Sequence, residues 1–377
     1  MKSIALAASV LLMAGCAGGV DGVTTLSGAT VRYQVADKPY VVLKRADVTA
    51  VIVDNRAVND DVLPNHKAGY SGVAKLAHTM RDENLFVPFY AGLNFEHIHD
   101  GTVQDRNVLF EPRNAPMELR VIDRHTVELY QKPTPHWKLE SCHRYRLLED
   151  GTIEMTFQCV PRAKTFANGY IGLFWASYIH QPESLDIHFA GWDIGKLTKE
   201  LARLKRVPVN GHEHWERFRV PRPPRFITAS TPLHGVRPTH VGLLDGRVFK
   251  HDDAFPLSLV FNKSDWIYGE SWYYGVSHRV ALVQMFRDDD RIRFSQSPSG
   301  GGKGNPAWDF QYFIEDYEVD KTYGFVMRAK YMPFDVNRIV KDTARHRRLL
   351  GSSTTAEQLE DIEFWNRWGR EPGRRVK

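Results

Sequence analysis

Cysteine is scarce in this sequence, and long hydrophobic runs are missing after its N-terminal segment. Only three cysteines occur among 377 residues, at positions 16, 142 and 159, which excludes a small scaffold held together by many disulfides. No later segment offers the roughly 18 consecutive apolar residues of a transmembrane helix. Hydrophobic residues make up 42% of the chain and charged residues 25%, so the sequence predicts a folded protein with a large core.

A strong charge of one sign is also missing. The formal net charge is only +5, and much of the excess lies near the C-terminus. A nucleic-acid-binding protein is expected to carry a basic stripe together with a recognition motif, and we find neither. We therefore predict no nucleic-acid partner and interpret the basic tail as a solvated surface.

Several short catalytic motifs are lacking as well. There is no Gly-x-Ser-x-Gly nucleophile motif. The glycine-rich residues 300–304 do not have the spacing of a phosphate-binding loop, and we interpret them as a connector or a mobile lid. The string from His212 to Trp215 lacks the second histidine of His-Glu-x-x-His, so we interpret it as a loop.

The N-terminus has a basic start and an apolar run over residues 4–14, which is typical of a secretory signal. The run ends in Leu-Met-Ala-Gly-Cys at Cys16, which resembles the lipobox of bacterial lipoproteins. The resemblance implies cleavage before Cys16, a lipid on that cysteine and a place in the outer membrane. We expect residues 1–15 to be a signal peptide, residues 16–29 a tether, and the lipid the only contact with the membrane. Cleavage at a nearby residue, giving a secreted protein, is the alternative.

Most of the chain shows short alternating segments typical of β-strands. They fall at residues 30–35, 40–43, 50–53, 93–99, 117–122, 126–130, 170–179, 184–189, 241–244, 257–261, 280–286, 292–294, 310–314 and 323–331. Residues 59–78 are predicted to be a loop, and helical spacing occurs only at 193–206, at 335–350 and from about 354. We predict an all-β fold, a large antiparallel β-sandwich or supersandwich over residues 30–333, with a short helical C-terminal appendage over residues 334–377.

One hairpin anchors this prediction. Asp150-Gly151 between two alternating segments is a strong signal for a two-residue turn. In that register Cys142 faces Cys159 at a non-hydrogen-bonded pair, where opposing Cα atoms lie about 4.5 Å apart, within reach of a disulfide. We therefore predict a bridge between these cysteines and an oxidising compartment.

Over residues 30–333 the length, the strand density and the aromatic, histidine-bearing strands resemble the galactose mutarotase-like supersandwich of sugar epimerases and polysaccharide-active enzymes. The resemblance implies a carbohydrate ligand. The family's catalytic histidine and glutamate motifs have no match in this sequence, so no site residue is carried over from it.

Residues 94–100 are the most suggestive run for chemistry. Regular alternation on a strand would place His97 and His99 on one face with Phe95, and Glu96 on the other. The two histidines could bind one divalent ion, or could serve as a base and a hydrogen-bonding group for a sugar. Because no third ligand is visible, we favour a sugar-binding or purely structural role over a metal site.

Two further runs carry candidate side chains. Asp186, His188 and Trp192 share one face of a predicted strand, where an aromatic ring and polar groups suit a sugar, although a rim strand with one buried tryptophan is an equal alternative. In the aromatic run at residues 265–274, Glu270 and Trp272 are candidates for ligand contact or for core positions. Asp309 is the preferred carboxylate of the second half.

We predict an exported carbohydrate-active protein that binds a sugar or acts on it by acid–base chemistry. The predicted catalytic residues are Glu96, His97, His99, His188 and Asp309; the predicted substrate-binding residues are Asp186, Trp192, Trp272 and Glu270. The alternatives are a non-catalytic glycan-binding or structural surface lipoprotein and a metal-dependent hydrolase. The sequence indicates no particular cofactor.

Overall fold

Alternating apolar and polar residues do form strands through most of the chain. A computed structural model describes residues 32–193, 206–209, 212–215, 225–230, 239–242, 247, 249–255, 263–296 and 304–351. The strands of the first half are β1 (Gln34–Val35), β2 (Tyr40–Arg45), β3 (Val48–Val53), β4 (Gly72–His78), β5 (Asn94–His99), β6 (Met117–Asp123), β7 (Thr126–Gln131), β8 (Leu139–Leu147), β9 (Ile153–Pro161) and β10 (Ile171–Ala176). Those of the second half are β11 (Asp186–Asp193), β12 (Arg206–Val209), β13 (His212–Trp215), β14 (Arg225–Ser230), β15 (Thr239–Gly242), β16 (Lys263–Tyr268), β17 (Trp272–Ser277), β18 (Val280–Phe286), β19 (Arg293–Gln296), β20 (Asp309–Ile314) and β21 (Tyr323–Pro333).

Helices are few in the described part of the chain. Two short ones, α1 (Arg106–Leu109) and α2 (Glu111–Asn114), lie between β5 and β6, and a longer one, α3 (Val336–Leu349), follows β21. A 3₁₀ helix (Asp288–Asp290) joins β18 to β19. None of the described helices is long and apolar enough to cross a bilayer.

Sixteen of the described strands form one large sheet, in the order β1-β6-β7-β8-β9-β21-β18-β17-β11-β16-β15-β19-β20-β10-β5, with β14 also paired to β11. All described pairs in this sheet are antiparallel except β15 with β16. A three-stranded sheet of β2, β3 and β4 and the β12–β13 pair are separate. The prediction of an all-β, mainly antiparallel sandwich is confirmed.

The large sheet folds back on itself around one core. Trp175 of β10 lies 4.9 Å from both Phe157 of β9 and Phe325 of β21, measured between ring centroids. Because β10 lies near one end of the sheet order and β9 and β21 lie towards the other, these rings bring its two halves face to face, as in a β-sandwich.

The hairpin between β8 and β9 differs from its prediction by one residue. The amide of Leu148 donates to the carbonyl of Thr152 (2.8 Å), and the amide of Gly151 donates to the carbonyl of Leu148 (3.0 Å). The loop therefore has three residues and ends at Gly151 in the left-handed region, with φ +76°. This is a type I turn followed by a bulge, which an Asp-Gly pair satisfies as well as it satisfies a two-residue turn.

The shifted register removes the predicted disulfide. Cys142 lies opposite Gln158, and Cys159 lies opposite Ser141. Since residues directly opposite each other share a face and neighbours along a strand alternate, the two sulfur atoms point to opposite faces of the sheet. Cys159 enters the main core, while Cys142 packs with Tyr130 and Val160. Both side chains are buried thiols, so the predicted bridge is wrong.

Helix α3 confirms the prediction of a helix at residues 335–350. Asp335 caps its first turn by accepting from the amide of Arg338 (3.0 Å). Its apolar side, including Val336 and Ile339, packs against Trp272 and other residues of β17 and β18 on the outer face of the sheet.

Other predictions fail where tertiary contacts decide. The predicted loop at residues 59–78 ends in strand β4, and the predicted loop from His212 to Trp215 is strand β13, paired with β12. The helix predicted for residues 193–206 lies outside the described residues except for its two ends, where Asp193 ends β11 and Arg206 begins β12. The signal peptide, Cys16, residues 257–261 and the helix from 354 lie outside the described residues.

Candidate functional site

A β-bulge in β5 brings Glu96 and His97 to the same face of the sheet. His97 pairs with Phe174 of β10, but the next residue of β10, Trp175, pairs with Phe95, so Glu96 is an extra residue. Such a bulge re-aims side chains, and bulges are frequent beside active sites. Phe95 stacks on Trp175 in the core, at 5.0 Å between ring centroids. His97 instead lies 5.2 Å from Phe174 on the outer face. The prediction that Phe95 and His97 share a face is therefore wrong.

Glu96 is the centre of a hydrogen-bonded cluster. Its Oε1 accepts from the hydroxyl of Tyr178 (2.8 Å) and lies 2.5 Å from Nη2 of Arg113. Its Oε2 lies on the side of His97, 3.7 Å from Nε2. Glu96 is only 5% exposed, so its ion pair with Arg113 acts in a largely desolvated setting, where charge-assisted hydrogen bonds are strong.

Arg113 reaches Glu96 because helix α2 is held over the end of β5. The side chains of Asn55 and Gln131 both donate to the carbonyl of Ala115, just after α2. At the start of α2, the carboxylate of Glu111 accepts from the backbone amide of Trp137 (3.1 Å). These contacts come from three separate parts of the chain and fix α2 against the sheet.

The environment of the cluster sets its protonation states. Burial, together with the charges of Arg113 and Arg106, lowers the pKa of His97 well below 6.5. Burial and the negative charge of Glu96 raise the pKa of Tyr178 well above 10. His97 is therefore neutral and Tyr178 is a neutral hydroxyl donor at physiological pH.

Aromatic rings line the outer side of this cluster. Tyr70 and Tyr90 are half-buried and stack at 4.3 Å between ring centroids, and Tyr90 lies 5.1 Å from Tyr178. Phe89, next to Tyr90, is 42% exposed. Exposed and half-buried aromatic faces beside buried polar groups suit a ligand with both C–H and hydroxyl groups.

Four buried polar atoms in and beside the cluster have no hydrogen-bond partner. They are Nδ2 and Oδ1 of Asn94, Nδ1 of His97 and Nε of Arg113. Asn94 is fully buried and pairs with Ala176 of β10, so it points to the same face as Phe174. Buried polar groups are normally satisfied, and a group of unsatisfied ones calls for an explanation such as bound water or a ligand.

Two other predicted catalytic residues lie on this face. Asp309 is fully buried, its Oδ1 accepts from the amide of Ser177 (2.8 Å), and its charge also raises the pKa of Tyr178. His99 is two residues beyond His97, opposite Gly172, in an aromatic setting that includes Phe255 at 5.3 Å. A side chain at Gly172 would collide with the His99 ring, since an added Cβ would lie 2.3 Å from it.

The remaining predicted residues lie elsewhere. His188 and Asp186 are half-buried on β11, where they alternate with the core residues Ile187 and Phe189. The His188 ring stacks on Tyr274 of β17 at 4.8 Å between centroids. Trp192 pairs with Ile267 of β16, and its side chain lies outside the described part.

Glu270 and Trp272 belong to the contact between the sheet and helix α3. Glu270 Oε2 accepts from the indole of Trp272 (2.6 Å) and from Nη1 of Arg347 in α3 (3.1 Å). Arg347 also donates to Asp288 (2.6 Å). This group fixes the helix on the sheet and does not touch Glu96 or Asp309.

The sequence did not single out Arg113, Tyr178, Tyr70 or Tyr90. Tyr178 was part of a predicted apolar strand, and Tyr70 was part of a predicted loop. Arg113 lies in a four-residue helix with no periodic signal. Within the described ranges, no group of three or more histidine, cysteine, aspartate or glutamate side chains is placed to hold a metal ion.

Comparison with known proteins finds weak structural similarity and no match in sequence. No protein-family model and no curated protein sequence matches the chain. A putative aldose 1-epimerase from Escherichia coli K12 is similar in structure, with 8% identity and a TM-score of 0.43, over 78% of this chain and 99% of that one. Galactose 1-epimerase from Lactobacillus acidophilus NCFM has 9% identity and a TM-score of 0.38, over 81% of this chain and 100% of that one. An α-N-acetylgalactosaminidase from Bifidobacterium bifidum has 10% identity and a TM-score of 0.42, over 84% of this chain and 40% of that one. The resemblance to galactose mutarotase-like proteins stays a prediction from the sequence.

Proposed function

We propose that the protein binds a sugar on the face that carries Glu96, and that Glu96 acts on it as an acid–base group with the neutral imidazole of His97 beside it. The observation that supports this most is the bulge in β5, which places a buried carboxylate and a neutral imidazole side by side, 3.7 Å apart. The exposed ring of Phe89, next to Tyr90, offers a stacking surface for the C–H face of a sugar ring.

In this proposal each group has a stated role. Glu96 uses Oε2 to take a proton from the anomeric hydroxyl or from a carbon next to a carbonyl, and the electron pair passes to the ring oxygen or to the carbonyl oxygen. The same carboxyl then returns the proton to the ring oxygen or to the enolate, while Tyr178 and Arg113 keep Oε1 in place. His97 offers its neutral imidazole as a hydrogen-bonding group for the sugar beside Oε2 of Glu96. Asn94, with its amide unpaired, supplies a further donor and acceptor.

A non-catalytic glycan-binding protein is the second candidate. It is favoured by the ion pair between Glu96 and Arg113, because a carboxylate fixed by an arginine and a tyrosine can orient a ligand without transferring a proton. Export, with a lipid on Cys16, belongs to either proposal and is supported by the sequence of residues 1–16 alone.

The proposal is tested by calorimetric titration of a panel of neutral and acidic sugars. The titrations use wild-type, Glu96→Gln and Tyr178→Phe protein. We expect Glu96→Gln to weaken binding by about 10-fold or more, since a hydrogen bond to a charged group contributes roughly 1.5–3 kcal/mol. Glu128→Gln is the matched control, because Glu128 is also buried and paired with an arginine, Arg144, but lies on β7. Equal affinity for wild-type and Glu96→Gln proteins, with the fold intact by circular dichroism, would contradict the site.

Product analysis of the same mixtures separates the two candidates. If the acid–base proposal holds, turnover is lost in Glu96→Gln, and the pH profile shows no step near 6.5 because His97 is neutral in that range. Saturable binding without turnover for any sugar would leave the glycan-binding function and remove the enzymatic one.

A further inference from the structure

Cations and aromatic rings alternate along the outer side of the Glu96 cluster. The Lys67 amino group lies 5.4 Å from the centre of the Tyr90 ring, and Tyr90 stacks on Tyr70 at 4.3 Å. The guanidinium carbon of Arg113 lies 4.2 Å from Tyr70 and 4.8 Å from Phe110 on its other side. Arg106 then lies 4.9 Å from the Phe110 ring. We call this series of residues the cation–aromatic ladder.

The ladder carries more positive charge than the acids around it neutralise. Arg113 pairs with Glu96. For Lys67 and Arg106, both exposed, no acidic partner within 4.0 Å is present in the described part of the chain. Asp105, the carboxylate beside Arg106 in sequence, is used as the N-cap of α1, where it accepts from the amide of Asn107 (2.7 Å).

Lys67 and Arg106 are better placed to bind an anion than a lysine or arginine that contacts only water. Each lies over an aromatic ring at one end of the ladder, which limits the orientations of its side chain and leaves its N–H groups available to an anion. The positive field of the ladder reaches the buried site as well, since Arg113 and Arg106 both act on His97.

We propose that the sugar recognised here is negatively charged, bearing a carboxylate, phosphate or sulfate group that Lys67 or Arg106 binds. This inference depends on the proposed function, because it names the class of sugar that the same site accepts. The shared chemistry is an anionic group attached to a sugar ring.

Calorimetric titrations test the preference for a charged sugar. The anionic sugars are D-glucuronate, D-glucose 6-phosphate and D-glucose 6-sulfate, and they are compared with D-glucose, D-galactose and inorganic phosphate. We expect at least one anionic sugar to bind about 10-fold more tightly than the neutral sugars, a difference equal to one charge-assisted hydrogen bond. That preference should weaken as sodium chloride is raised, because exposed charges are screened. The three anionic arms distinguish the carboxylate, phosphate and sulfate sources.

Two variants and a matched control complete the experiment. Lys67→Gln or Arg106→Gln should remove most of the preference for the anionic sugar while binding of neutral sugars changes little. Lys321→Gln is the control, because Lys321 is also an exposed lysine over a tyrosine, Tyr323, but lies in the loop just before β21. The control should keep the preference.

The outcomes separate the two proposals. Three results would each overturn the charged-sugar inference alone. Neutral and anionic sugars could bind with equal affinity, or inorganic phosphate could bind as tightly as the sugar phosphate. The preference for the anionic sugar could also survive in both variants. Failure of every sugar to bind would overturn the proposed function, and this inference with it.

Discussion

At the scale of single residues, buried histidines show how the fold changes the chemistry of a side chain. His143 of β8 is 1% exposed, and the indole nitrogen of Trp175 donates to its Nε2 (3.2 Å). Burial lowers its pKa from 6.5 to about 3. The same cause lowers the pKa of His99 to about 3. Such groups stay neutral in the native state and take up protons when the chain unfolds.

The pH dependence of stability should therefore carry a contribution from His143. Between pH 6.5 and about 3 the unfolded chain binds a proton at this position that the native chain does not, so stability falls as the pH is lowered below 6.5. His143→Gln, whose amide oxygen can accept from Trp175, should reduce the loss of stability between pH 7 and pH 5 by up to about 2 kcal/mol. Urea unfolding at both pH values measures this, with His136→Gln, at an exposed position, as the control. An unchanged pH dependence in His143→Gln would contradict the assignment.

At the scale of elements, the β8–β9 turn is connected to helix α3. Asp150 Oδ2 accepts from Arg345 (2.6 Å) and lies 3.0 Å from Nε2 of His346, both in α3. Partial burial would raise the pKa of Asp150, but hydrogen bonds from His346 and Thr152 and the charge of Lys330 lower it well below its ordinary value. The C-terminal helix is thus joined to the hairpin by charge as well as by apolar packing.

Asp150→Asn should loosen helix α3. We expect the free energy of unfolding at pH 7 to fall by roughly 1–3 kcal/mol, the cost of losing hydrogen bonds to a charged group, and trypsin to cut sooner within residues 336–349. Because the folded pKa of Asp150 is lowered, this stabilisation is present above pH 3.8 and is lost only in stronger acid. Asp123→Asn is the matched control, since Asp123 accepts from a turn amide, that of His125 (2.7 Å), in the β6–β7 hairpin. Equal proteolysis of both variants would show that the contact does not hold the helix.

At the scale of the whole molecule, one core connects both halves of the sheet, and Trp175 lies at its centre. The ring stacks on Phe310 at 5.2 Å and on Phe95 at 5.0 Å, in addition to its contacts with β9 and β21. The small sheet of β2, β3 and β4 also contributes Leu43, Ile52 and Leu76 to this core.

Trp175→Ala should therefore destabilise the whole sheet at once. Removing a buried tryptophan typically costs about 3–5 kcal/mol, and the loss should appear as a shift of a single urea transition followed by circular dichroism. Phe89→Ala, which removes an aromatic ring that is 42% exposed, should change stability little. Two separate transitions in Trp175→Ala protein would argue against one shared core.

Much of the fold could be predicted from alternation, because a strand with one buried face repeats every two residues. Strand β18 (Val280–Phe286) was predicted with its observed bounds, and the predicted strands at 117–122, 126–130 and 310–314 differ from β6, β7 and β20 by one residue at one end. Alternation carries no information about a single inserted residue. That is why the bulge at Glu96 and the three-residue loop ending at Gly151 were both missed, and why the disulfide prediction failed.

The sequence by itself determined the strand-rich composition, the long helix at 336–349 and the presence of Glu96, His97, His99 and Asp309 as candidates. Only the tertiary structure decided which of them meet, since Glu96 acquires Arg113 and Tyr178 from segments 17 and 82 residues further along the chain. The physical reason is that periodicity specifies which face a side chain shares with its neighbours on one strand. Sheet pairing, bulges and the docking of α2 specify its partners from distant segments.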